Sequence, residues 1–224
     1  MTAGEHPREI SIPVAKGSIN GTLTMPLEAR AVVIFAHGSG SSRFSPRNES
    51  VAADLQRANL GTLLMDLLTQ AEESVDLYTR EHRFDIALLA GRVALATDWI
   101  ADQAEFATLP IGYFGASTGA AAALVAAAEK PRVAAIVSRG GRPDLAGDSL
   151  AHVTAPTLLI VGGKDTEVLE LNRQAAQQLR CENRIEIVHG AAHLFEEPGT
   201  LAQAAQLARE WFLSHLGNAG TKAA

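Results

Sequence analysis

Short apolar runs rich in β-branched residues recur along this chain, and helical periodicity fills the stretches between them. That alternation restricts the architecture. Parallel neighbours need a crossover, and the crossover has to pack back on the sheet, so a mostly parallel sheet with helices on both faces is expected. Eight runs read as strands, at 9–14, 21–25, 32–36, 62–67, 110–114, 133–137, 157–161 and 184–188. The first two, joined by the glycine-bearing stretch 17–21, read as an antiparallel pair.

Helices are predicted at 48–59, 83–103, 118–129, 167–180 and 199–216. In the second, Phe84, Ala87, Leu88, Gly91, Leu95 and Trp99 recur at three- and four-residue spacing and predict the stripe that faces the sheet, with Arg83, Asp85 and Arg92 outside. One domain over residues 1–224 is expected, with a frayed tail at 217–224.

With 47% hydrophobic and 20% charged residues the chain can bury a substantial core. Its net charge of −6 argues against nucleic acid or an anionic membrane as a partner. Cys181 is the sole cysteine, so no internal disulfide forms, and a reducing compartment fits. The amino terminus lacks the apolar core and cleavage site of a secretory signal, and the apolar run 120–128 is too short to span a bilayer. A cytoplasmic protein is expected, and a homodimer is left open.

Gly115-Ala116-Ser117-Thr118-Gly119 lies between the strand 110–114 and an alanine-rich helix. A bare GxSxG arises by chance in about one chain in twelve of this composition, so its position at a strand-to-helix turn carries the weight. There Ser117 stands clear of the backbone as a nucleophile, while glycines flank it where side chains would collide. The competing role is a plain helix N-cap.

His193 follows the last strand in a loop that can carry an imidazole back over the sheet; His189, still at the strand's end, is its competitor. Asp165, in Gly162-Gly-Lys-Asp after strand 157–161, is the preferred acid, because a carboxylate there would fix the imidazole's tautomer. Asp144, after Pro143, is the rival, and the alternative role of Asp165 is an N-cap.

The small-residue loop His37-Gly38-Ser39-Gly40-Ser41-Ser42 follows the third strand and suits half of an oxyanion hole, with the N–H of Ser39, or alternatively Gly40, as one donor. The N–H of Thr118, at the start of the nucleophile helix, would be the other. His37 reads as a brace for that loop. Arg43, Arg47, Arg139 and Arg142 also fall at the carboxyl edge, either as surface charge or, Arg139 foremost, as an anchor for a carboxylate or phosphate of the substrate.

Over nearly the whole chain these segments, together with Ser138-Arg-Gly-Gly-Arg-Pro-Asp-Leu-Ala and Gly190-Ala-Ala-His, resemble the α/β-hydrolase superfamily and, within it, dienelactone-hydrolase-like proteins. The segment that begins at His37 and the segment that begins at Ser138 are similar to a subgroup sometimes fused to phosphoribosyltransferase domains. Dienelactone hydrolases proper use a cysteine nucleophile, whereas Ser117 stands here. The resemblance therefore implies a serine hydrolase of small esters that needs no cofactor or metal. Thioesters, lactones, amides or acyl transfer are alternatives with the same triad, and a non-catalytic binding module is the remaining class. About twenty residues separate the strands 133–137 and 157–161, too few for a cap domain, so an open, shallow site is expected.

Overall fold

The computed structural model describes residues 6–216, and the 217–224 tail lies outside them. Eight strands form one sheet: β1 (Arg8–Val14), β2 (Gly17–Thr24), β3 (Val32–Ala36), β4 (Gly61–Met65), β5 (Ile111–Ala116), β6 (Val133–Arg139), β7 (Thr157–Gly162) and β8 (Asn183–Val188). Their order is β1-β2-β4-β3-β5-β6-β7-β8, with β1 and β2 antiparallel and the remaining strands parallel to one another. The α/β-hydrolase fold is thus present. From β3 the chain steps one way to β4 and then crosses to the other side for β5, so the order reverses at β3. Open α/β sheets place their ligands beyond the carboxyl ends of strands at such a reversal.

Helices α1 (Pro46–Arg57) and α6 (Thr200–Leu216) cover one face; α3 (Ile86–Asp102), α4 (Thr118–Glu129) and α5 (Thr166–Gln178) cover the other. The strand β3 shows why both faces need cover. Val32, Ile34 and Ala36 enter the core beneath α3 and α4, while Val33 and Phe35 enter the core beneath α1 and α6. Every one of its residues is buried, as expected of a central parallel strand.

Three details differ from the sequence reading. The hairpin turns at Ala15-Lys16, with Val14 opposite Gly17, so residues 17–21 belong to β2. Gly21 answers packing: a Cβ there would lie 2.9 Å from Leu63 Cδ1. An additional helix, α2 (Gln70–Thr79), stands between β4 and α3. Its start is marked by a capping box in which Thr69 and Glu72 bond reciprocally. The predicted stripe of α3 is also displaced. Leu89, Ala90, Val93, Ala96, Thr97 and Ile100 are buried, whereas Gly91 and Leu95 face solvent. Arg92 is buried because its guanidinium bonds Glu72 of α2 at 2.6 Å, a partner that periodicity alone does not show.

The loop after β3 is held by His37. Its Nε2 accepts from the Leu67 N–H at 3.2 Å, which leaves the proton on Nδ1 to donate to the Gly38 carbonyl at 2.9 Å. Burial pushes the His37 pKa down, against the opposing pull of the Gly38 carbonyl, Asp66 and Glu73.

Two predictions follow from packing and burial. A Cβ on Gly119 would sit 2.2 Å from the Ala36 carbonyl oxygen, whereas one on Gly91 meets nothing within 4 Å. Gly119→Ala should therefore cost about 3 kcal/mol or more in denaturant unfolding, and Gly91→Ala should stabilise by roughly 0.5–1 kcal/mol. A neutral Gly119→Ala would contradict the close approach.

The unfolded chain takes up a proton on His37 below about pH 6.5, before the folded state does, so stability is full above that range and declines as pH falls. Unfolding free energies measured at about pH 7.5 and about pH 5.5 should fall more in wild type than in His37→Gln, which keeps an acceptor but does not titrate. Equal slopes would show that His37 carries no such linkage.

Candidate active site

Ser117 joins β5 to α4 with φ 51° and ψ −123°, a backbone conformation that costs a non-glycine residue about 1–3 kcal/mol. Surrounding bonds hold it there. Its N–H donates to the Arg139 carbonyl at 3.4 Å, and its carbonyl accepts from Ala120 N–H and Arg142 N–H, both at 3.1 Å. The hydroxyl makes no N-cap bond, so helix capping does not occupy it. A Cβ on Gly115 would meet Ala120 Cα at 2.4 Å, and one on Gly38 would meet Ser117 Cβ at 3.0 Å. The glycines around the serine answer these approaches.

His193 is brought to the same place by the loop after β8. Its Nδ1 lies 2.6 Å from Asp165 Oδ2, and its side chain is 39% exposed against 15% for the aspartate. Asp165 precedes α5 but does not cap it, since its carboxylate is turned to the imidazole. The rival Asp144 accepts instead from Arg142, at 2.9 Å from Nε and 2.8 Å from Nη2. The competitor His189 is exposed at the end of β8.

The histidine loop is itself fixed. Ala192 N–H donates to both Glu197 oxygens, at 3.2 and 3.0 Å, and this bond holds the Glu197 carboxyl below the usual range. Lys164 N–H reaches the Ala191 carbonyl at 2.9 Å. The loop also rests on Gly162, where a Cβ would lie 2.6 Å from the carbonyl oxygens of Ala191 and Ala192.

Two cavities meet at Gly38 and Ser39. One, of about 240 Å³, is lined by Ser117, His193, Ser45, Arg47, Asn48 and Arg139 among others. The second, of about 140 Å³, is lined by Leu67, Leu68, Leu77 and Leu89 and by the charged side chains of Glu73, Asp76 and Arg83, beside Gly40 and Thr118. Leu77 comes from α2. The connection from β6 to β7 holds only the 3₁₀ helix Pro143–His152, so no cap grows there, but α2 gives the site a wall on the other side. An open, shallow site thus describes only part of it.

The remaining predicted residues divide. The Ser39 N–H, read as an oxyanion donor, bonds the Thr118 hydroxyl at 2.9 Å and is engaged in this state. Gly40, the alternative, has φ 70° and borders the smaller cavity. Thr118, the first residue of α4, has a backbone N–H with no partner inside the helix. Arg43 is a correction: its side chain pairs with Asp66 and Glu9, its guanidinium stacks on Phe44, and it lines neither cavity. Arg139 does line the larger cavity, and with it Asn48, which the sequence reading did not single out. The lone Cys181 is half-buried with its Sγ 3.8 Å from Thr157 Oγ1, and burial raises its pKa. Among the described residues no helix is long and apolar enough to cross a membrane.

Comparison with known proteins agrees with this fold. The model of the dienelactone hydrolase family matches residues 21–219. Two Mycobacterium tuberculosis proteins with a provisional phosphoribosyl transferase name are 55% identical over 213 residues, which are 95% of this chain and 47% of theirs. The chain thus spans about half the length of these relatives. The crystal structure of a dienelactone hydrolase from Anabaena variabilis superposes with a TM-score of 0.93 at 56% identity, covering 95% of this chain and 99% of that one. Est1E from Butyrivibrio proteoclasticus shares the fold, with a TM-score of 0.78 at 17% identity over 94% of this chain and 99% of its own. The chain belongs to the dienelactone hydrolase family.

Proposed function

We propose that the protein is a serine hydrolase that cleaves small carboxylic esters through an acyl-enzyme. One observation carries the reading: Ser117, held in strained backbone, opens on the same cavity as His193, whose Nδ1 is 2.6 Å from Asp165. His193 Nε2 takes the hydroxyl proton as Ser117 Oγ attacks the carbonyl carbon. Asp165 keeps the proton on Nδ1 and stabilises the imidazolium that forms. The developing oxyanion is received by the Thr118 N–H, and by the Ser39 N–H once the Thr118 hydroxyl turns away from it. Protonated His193 then gives its proton to the leaving oxygen. Water, deprotonated by the same imidazole, finally releases the acid.

Lactones are supported as well by the name of the Anabaena relative, and a lactone is an ester closed on itself that needs no change in these steps. The transferase name of the Mycobacterium relatives describes chains of which this one spans 47%, and the reading does not rest on it. The smaller cavity, at about 140 Å³, sets four leucines beside Glu73, Asp76 and Arg83 and has room only for a short acyl chain, and each methylene left in water forgoes about 0.8 kcal/mol. Acetyl to butyryl esters are the substrates this favours.

Ser117→Ala should lower kcat on the order of 10³-fold or more with the unfolding midpoint nearly unchanged. A fluorophosphonate probe should label wild type but not this variant, and retention of more than about a tenth of the activity would remove Ser117 from the mechanism. Asp165→Asn should cost on the order of 10³–10⁴-fold in kcat, since a neutral amide favours the wrong tautomer. Asp144→Asn loses only its pair with Arg142 and should stay within a few-fold. The opposite ranking would make Asp144 the acid.

A further inference from the structure

Arg139 ends β6 beside the nucleophile, and its residue is only 7% exposed. Its guanidinium lies near two rings, 5.9 Å from the centroid of Phe114 and 5.8 Å from that of Phe195. Nη2 donates to Asn48 Oδ1 at 3.3 Å, while Nε and Nη1 have no partner. Among the described residues no carboxylate pairs with it, although a buried cation ordinarily demands one. Burial, and then the neighbouring charge of Arg47, lower its pKa to about 10, so it remains charged at neutral pH.

The rest of the cavity adds charge of the same sign. Arg47 lines it, one-third exposed, and reaches only Glu196 at the rim, at 3.7 Å. Ser45 is the N-cap of α1, a helix of 12 residues, and Arg47 and Asn48 lie in its first turn; that end contributes positive potential, with the Asn48 N–H already taken by Ser45 Oγ. Two guanidinium groups and a helix N-terminus thus face one space of about 240 Å³ that also holds Ser117 and His193.

We propose that the substrate carries a phosphate monoester group and that Arg139, with Arg47 and the N-terminus of α1, receives it while Ser117 attacks an ester elsewhere on the same molecule. The inference rests on the reading of Ser117 as the nucleophile. A phosphate monoester carries a charge of about −1.5 to −2 at neutral pH and three acceptor oxygens, which suits two guanidinium groups better than a single carboxylate does. Burial beside the two aromatic rings holds the Arg139 fork in place, so little motion is lost when the anion arrives.

The test uses three short-chain esters matched in size and bearing a phosphate, a carboxylate or a hydroxyl group. Wild type should prefer the phosphate ester to the hydroxyl ester by about tenfold to a hundredfold in kcat/KM, most of it in KM. In Arg139→Met the loss for the phosphate ester should exceed the loss for the hydroxyl ester by at least about tenfold, and Arg139→Lys should restore part of the preference. The Tm of Arg139→Met should rise, because an unpaired buried charge has been replaced by an apolar side chain. An equal loss on all three esters, a preference for the carboxylate ester, or a lower Tm with the preference intact would each overturn the proposal.

Binding of phenyl phosphate, measured by calorimetry on Ser117→Ala and on the double variant with Arg139→Met, keeps the two readings apart. If no ester is turned over but phenyl phosphate binds and Arg139→Met weakens it about tenfold, the anion site stands and the esterase reading fails. If esters are cleaved and phenyl phosphate binds no better than phenol, the anion site fails alone. Should Arg139→Met not fold, Arg47→Ala at the rim is expected to weaken phenyl phosphate several-fold, and an unchanged affinity would count against the site.

Discussion

The close approach of α4 to the end of β3 sets the geometry of everything at the carboxyl edge. Residue 119 sits against the carbonyl oxygens of Ala36 and His37, at distances a side chain could not tolerate. With the helix seated there, β5 has no room to finish before turning, and the turn falls on Ser117 in a backbone conformation that an L-residue adopts only under constraint. The same seating puts Gly38 against Ser117 and brings the Ser39 N–H to the Thr118 hydroxyl. Strain at one residue is thus balanced by packing across two strands and a helix.

Much of this was legible because it is local. A glycine-flanked serine between an apolar run and an alanine-rich helix specifies its own turn, and the loops after β7 and β8 announce Asp165 and His193 by position. What escaped depends on partners distant in sequence. The helix α2 buries no apolar side chain, Asp76 being its one buried residue, and is secured by polar contacts instead: its capping box, Glu72 with Arg92, and Asp76 accepting from Arg83 and from the N–H groups of His82 and Arg83. The displaced stripe of α3 has the same cause, since Arg92 can be buried only because Glu72 is there.

Charged residues at the carboxyl edge show the limit most plainly. Sequence position puts Arg43, Arg139 and Arg142 in one group, yet the fold gives each a different environment. Arg43 finds Asp66 and Glu9, Arg142 finds Asp144, and Arg139 finds two aromatic rings and an amide oxygen. Position could nominate these side chains. Only the pairing of charges in space can separate those that stabilise loops from one that is left free.

That separation bears on how the site is organised. The chain carries a net charge of −6, and Asp66, Asp76 and Asp144 each take an arginine near this edge, so acids are in good supply. The lack of one at Arg139 is therefore not a matter of scarcity. Placing a carboxylate in that cavity would neutralise the guanidinium and, on the proposed mechanism, would also set a negative charge beside the oxyanion that attack by Ser117 generates, raising the barrier. Leaving the cation unpaired costs stability but contributes positive potential to the cavity in which the proposed attack by Ser117 would take place. Asp165 is consistent with the same constraint, because its charge lies on the Nδ1 side of His193, where the proposed imidazolium would form, and not among the residues that line the cavity.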